Sequence, residues 1–164
     1  MGAALIKGIL ENKIAASGDV SVSDASEARR AVLAKEFGVR ATGDNAFAAR
    51  TAEVVVLAVK PQVLGEVMSG LKGEVPPEAV VLSIVAGAKI ASLKAGLAHD
   101  SIARSMPNMP AQIGLGMTVW TTTGHVKPDQ KASVQKVLAG VGKEIYVADE
   151  KFLDMATAVS GSGP

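Results

Sequence analysis

Gly2 and Asp24 stand 22 positions apart, and together they could hold a nucleotide. Gly2 opens the amphipathic stretch MGAALIKGIL. A glycine at a helix start leaves backbone NH groups open to an anion, and the helix dipole adds positive charge there. Asp24 closes the strand-like DVSVSD, where a carboxylate can accept hydrogen bonds from ribose hydroxyls. Dinucleotide-binding folds place such an acid about 20 positions after their glycine-rich turn. Gly2 fits the last glycine of that turn, so MGAALIKGIL is expected to be the first helix of a domain lacking its first strand. A second group, SGSGP at 160–164, combines unobstructed backbone NH groups with the hydroxyls of Ser160 and Ser162. That chemistry suits a carboxylate, although composition alone equally describes a flexible linker. His99 and His125 have no partners at metal-ligand spacing, and surface positions are expected for both. No local motif supports a Ser-His-Asp set or a carboxylate pair.

The elements needed to carry these residues alternate at short spacing. Strands are expected at 19–24, 39–42, 53–59, 79–85, 101–106, 116–122 and 143–148, with EVVVLAV the least ambiguous. Helices are expected at 26–37, 45–52, after Pro61, at 89–98 and at 128–142. Ser26 supplies an N-cap for the first of these, and Gly38 follows its end. Runs such as VVV and AVVLSIV suit strands covered on both faces. The alternation predicts an α/β doubly wound, mostly parallel sheet. Without the first strand, either its neighbours close together or the domain is only marginally stable. Asn45 can cap the helix that it begins.

Composition narrows the function classes. A net charge of +1 gives no electrostatic case for nucleic acid or an anionic membrane surface. Aromatics at 3% provide few stacking platforms for single strands. No apolar run is long enough to cross a bilayer. The absence of cysteine excludes disulfides and thiolate chemistry. A cytoplasmic protein with a small-molecule substrate, no metal and no membrane or nucleic-acid partner is expected.

Four stretches make the reading specific: VVVLAVKPQVL (54–64), LSIVAGAKI (82–90), RSMPNMPAQIGLGMT (104–118) and DMATAVSGSGP (154–164). In this order they resemble the pyrroline-5-carboxylate reductase family, from Gly2 to Pro164. The resemblance implies a Rossmann-type domain over 1–149 and the start of a C-terminal helical dimerisation domain over 150–164. It also implies that about ten residues carrying the first strand and most of the helical domain are absent, and that the parent forms a homo-oligomer through that domain. Ala58, Val59, Lys60 and Pro61 would line the cofactor crevice, with Lys60 as a polar contact or merely a solvated strand end. Asn45 would lie near the adenosine. Ala86 and Gly87 would let the nicotinamide approach the backbone, unless Gly87 serves only a turn. Met106, Pro107 and Asn108 would shape the far side of that pocket, while Met109 departs from the small polar residue frequent in the family. Ser160, Gly161, Ser162 and Gly163 would hold the substrate carboxylate. Glu150 matches an acidic position near that site, or is a solvated or capping residue at a helix start.

The implied reaction is hydride transfer from NAD(P)H to the cyclic imine, giving L-proline in the last step of its biosynthesis. No acid–base residue of this chain is required as a catalytic group. Kinship favours NADPH, but Asp24 and Ala25 stand where many relatives have asparagine and arginine. Ser23, Ser26 and Arg29 could partly replace the missing phosphate-binding arginine. Given the missing segments, the chain by itself is expected to have no reductase activity. The alternatives are a related NAD(P)-dependent imine or hydroxyacid dehydrogenase, or a non-catalytic nucleotide-binding or dimerising fragment.

Overall fold

A computed structural model describes residues 1–161. Helix α1 (Gly2–Glu11) precedes β1 (Ser21–Ser23), α2 (Glu27–Phe37), β2 (Arg40–Thr42) and α3 (Asn45–Ala49). Then follow β3 (Val54–Leu57), α4 (Leu64–Leu71), β4 (Val80–Ser83), α5 (Ile90–Leu97) and β5 (Ile102–Met106). The chain continues through β6 (Gly116–Thr122), α6 (Pro128–Ala139), β7 (Gly142–Tyr146) and α7 (Lys151–Ala156), which runs into a π-helical turn at Thr157–Gly161.

Local chemistry accounts for most boundaries. Ser26 Oγ accepts from Arg29 N at the start of α2, and Gly38 ends that helix with a φ of +67°. Pro61 enters a 3-10 turn, Pro61–Val63, that leads into α4. Asp44, rather than Asn45, caps α3 by accepting from Phe47 N at 3.0 Å. Asn45 is the first helical residue instead, so a capping role for it is ruled out.

Strands β3 to β7 form one sheet in sequence order, and β1 and β2 form a second, parallel pair. The expected break falls between β1 and β3, which do not close together. β3, β4 and β5 are parallel, as are β6 and β7, but β5 and β6 are antiparallel. The sheet is thus mostly parallel, as expected, with one antiparallel step. Only residues 107–115 join β5 to β6, too few for a helical crossover.

The five-stranded sheet is covered on both faces. Val55, Leu57, Val81 and Ile102 pack with Leu64, Leu71, Leu93 and Leu97 of α4 and α5. Val80, Leu82, Ala103 and Trp120 face Leu5 of α1 and Val134 and Leu138 of α6. Ile6, the next residue of α1, packs instead with Leu33 and Val39 beside the small sheet. Helix α1 thus joins both sheets. It also approaches the end of α6 closely: a Cβ on Gly8 would lie 2.4 Å from the Gly140 carbonyl oxygen.

Candidate cofactor and substrate site

Because β3, β4 and β5 are parallel, their C-terminal ends share one edge of the sheet. The segments leaving that edge carry Ala58–Pro61, Ala86–Gly87 and Pro107–Asn108. The N-terminus of α1 lies beside the first of them, since a Cβ on Gly2 would sit 3.5 Å from Ala58 Cβ. Ligands of open α/β sheets bind at this end, where a helix N-terminus meets strand termini. Ala58, Lys60, Pro61, Ala86 and Gly87 are exposed there, whereas Val59 is half-buried against the core. Gly87 has a φ of +75°, so its turn requires glycine, and a Cβ there would meet no atom within 4 Å. The turn and the open approach are both present at this residue.

The loop after β1 is ordered by its own polar groups. Asp24 Oδ1 accepts from Ser26 N at 2.8 Å, and Arg30 Nη1 donates to the carbonyl oxygens of Asp24 and Ala25 at 2.8 and 3.1 Å. Asp24 N in turn donates to Thr42 O, joining the ends of β1 and β2. Ser23, Asp24 and Asn45 are half-buried at this end of the small sheet. Arg30 is committed to the loop's backbone, while Arg29 is exposed.

Asn108 connects two segments expected to be functional. Its Oδ1 accepts from Met117 N at 2.9 Å, and its Nδ2 donates to Ser160 Oγ at 3.0 Å. The loop after β5 and the start of SGSGP are thereby brought together. Gly161 ends the π-helical turn, whereas Ser162 and Gly163 lie outside the described residues.

Residues 1–87 match the protein family described as NADP oxidoreductase, coenzyme F420-dependent. The chain belongs to that family. Over 164 residues it is 38% identical to a pyrroline-5-carboxylate reductase of Synechocystis, covering all of this chain and 61% of that protein. A structure of a pyrroline-5-carboxylate reductase from Coxiella burnetii superposes with a TM-score of 0.93 at 30% identity, covering 99% of this chain and 61% of the other. The Plasmodium falciparum pyrroline carboxylate reductase, solved with NADP bound, gives a TM-score of 0.86 at 28% identity, covering 100% and 60%. The chain spans about three-fifths of the length of the curated relatives it matches. The α/β Rossmann-type fold and the family resemblance read from the four motifs are thus established.

Within this family member, Glu150 has partners that the sequence did not announce. It precedes α7, yet its carboxylate does not cap that helix. Oε1 accepts instead from Ile90 N, at the start of α5, at 2.8 Å, and from Arg104 Nη1 at 2.6 Å. Arg104 Nη2 donates to Asp154 Oδ1 at 2.9 Å, and Lys89 pairs with the other oxygen of Asp154. Hydrogen bonds from Lys89 and Arg104 hold the Asp154 carboxyl below the usual carboxylate range. Arg104, Asp154 and Lys89 were not expected as functional positions. The available signal was a lone charge inside IARSM, because a buried arginine must find anionic partners.

The histidines differ from one another. His125 is exposed as expected, but His99 is half-buried with Nε2 2.8 Å from Ala79 O. Trp120 is buried on a sheet face, and its indole NH donates to Glu144. No helix among the described residues is long and apolar enough to cross a membrane.

Proposed function

We propose that this chain provides the dinucleotide-binding and imine-facing part of a pyrroline-5-carboxylate reductase. Residues 1–149 form the NAD(P)-binding domain, and 150–164 begin a helical domain through which the parent assembles as a homo-oligomer in the cytoplasm. The observation that carries the reading is the Asn108–Ser160 hydrogen bond, which brings the end of β5 against the start of SGSGP. Whole-length similarity to pyrroline-5-carboxylate reductases gives independent support.

The residues present fit a dinucleotide. Gly2 offers a helix N-terminus beside Ala58, and Gly87 provides a turn whose inner surface is open. Asp24 and Ser23 receive the adenosine ribose, with Asn45 near the adenine side. Ala58, Val59, Lys60 and Pro61 line the crevice, and Ala86, Gly87 and Asn108 border the nicotinamide. NAD(P)H, when bound, supplies hydride from its nicotinamide C4. With the imine nitrogen already protonated, addition of that hydride to the imine carbon would turn the C=N double bond into a single bond and leave the nitrogen as a neutral amine bearing that proton. Ser160, Gly161, Ser162 and Gly163 bind the substrate carboxylate with Glu150 nearby, and the protein contributes orientation rather than an acid or base. NADPH is the expected donor, with Asp24 opposing its 2′-phosphate.

Fluorescence titration with NADPH and then NADH tests the cofactor half of this reading. Saturable micromolar binding supports it. A folded chain that binds neither dinucleotide overturns it.

A further inference from the structure

The reductase reading gives Arg104 no task, yet its surroundings are the most constrained polar cluster among the described residues. Its side chain is 3% exposed, on a strand whose first four residues are buried. Burying a guanidinium is costly unless its donors are matched by anions in good geometry. Here Glu150 and Asp154 meet that condition, each taking one arm of the fork. Spaced four apart, they face the same side of the α7 turn. Neither carboxylate serves Arg104 alone. Glu150 also receives the backbone NH of Ile90, and Asp154 also receives Lys89. The facing charges are therefore Lys89 from the approach to α5, Arg104 from β5, and Glu150 and Asp154 from the α7 segment. Asp149 is paired with Lys151 instead.

Position gives this cluster its consequence. Lys89 and Ile90 directly follow the turn containing Ala86 and Gly87, and α7 leads within one short π-helical turn to Ser160. We infer that Arg104 is a positioning residue: by holding both carboxylates it locks the turn at 86–88 and the segment leading to Ser160 into one unit. Assigning those segments to nicotinamide and substrate rests on the reductase reading. The lock itself does not. Hydride transfer depends on donor and acceptor being held in near-attack geometry, and a shared anchor for both sides provides it.

Hydrogen exchange on the whole chain, combined with NMR of the arginine side chains, tests the lock. In the native protein Arg104 should show distinct, slowly rotating Nη protons, as a guanidinium clamped from two sides must. Acidification that protonates Asp154, whose carboxyl is held below the ordinary carboxylate range, should release its arm of the fork. R104K keeps the charge but loses the planar fork. It should speed exchange about tenfold or more both in 151–161 and at the Ile90 amide, leaving β4 protected. D154N should loosen 151–161 while the Ile90 amide stays protected through Glu150. Faster exchange in only one segment of a folded R104K protein, or in neither, overturns the proposal. Should R104K lose β4 protection as well, D154N decides: unchanged exchange in 151–161 then overturns it. Failure of dinucleotide binding with these signatures intact would count against the reductase reading alone.

Discussion

Asn108 Nδ2 donates to Ser160 Oγ across 3.0 Å, between residues 52 positions apart in sequence. The same side chain's Oδ1 accepts from Met117 N at 2.9 Å, and this bond fixes the amide's orientation. Asn108 therefore reads one neighbour as a donor and the other as an acceptor, a pattern that alanine cannot reproduce. Asn108→Ala should lose about 1 kcal/mol of stability, as for one or two half-exposed hydrogen bonds. The Met117 amide should exchange faster. Asn108→Asp retains the acceptor, and Ser160 can turn its hydroxyl to donate, so the Met117 amide should remain near native. Amide exchange at Met117 in the two variants checks this, and equal loss in both would contradict the assigned roles.

Gly8 and Gly140 define the crossing of α1 with the end of α6. A Cβ on Gly8 would come within 2.4 Å of the Gly140 carbonyl oxygen, and backbone cannot yield as a flexible side chain would. Gly8→Ala should therefore destabilise by about 1–3 kcal/mol despite alanine's better helix propensity. Gly70 in α4 is the matching control, because a Cβ there meets nothing within 4 Å. Gly70→Ala should be neutral or stabilising by up to about 1 kcal/mol. Chemical denaturation of both variants checks the contrast.

What was legible in the sequence follows the range of the forces involved. Ser26 and Gly38 bound α2 through contacts within a few residues, and Pro61 marks its turn by its own ring geometry. These features were readable. The direction of β6 depends on the length and path of residues 107–115, which apolar patterning does not encode. Gly8 reads as an interruption of an apolar run, yet its reason lies at Gly140 on another helix. The cap of α3 moved by one residue, from Asn45 to Asp44, because both types cap well and only the backbone chooses. At the candidate site, the placement of Gly2 at a helix start, Ala58 after a strand and Gly87 in a turn was legible because these features belong to the backbone. Arg104 was missed because its meaning comes from Glu150 and Asp154, 46 and 50 residues away.

Cofactor choice turns on a single carboxylate. Asp24 keeps one oxygen on Ser26 N, an acceptor role that asparagine can also fill. Asp24→Asn should leave the loop intact while removing a negative charge from the region proposed to receive the ribose. NADPH affinity should then rise by about tenfold relative to NADH, as expected for removing one close like-charge repulsion. Parallel fluorescence titrations measure that ratio. A ratio unmoved by the substitution would place the 2′-phosphate away from Asp24.

Tyr146 offers a pH test independent of the site, because it is the chain's one tyrosine. Its hydroxyl lies 3.4 Å from Thr122 Oγ1, and Lys131 Nζ sits 3.3 Å from its ring centroid. The Thr122 hydrogen bond and then the Lys131 charge lower the phenol below its ordinary value, against an opposing effect of burial. A lowered folded-state value means that, between it and the unfolded value near ~10, the unfolded chain binds more protons. Stability should therefore rise with pH across that window, until other groups titrate. Tyrosinate absorbance should give a midpoint below that of free tyrosine. Thr122→Val should move it upward, and so should Lys131→Met. A native midpoint at or above the free value would mean that neither contact favours the ionised phenol in solution.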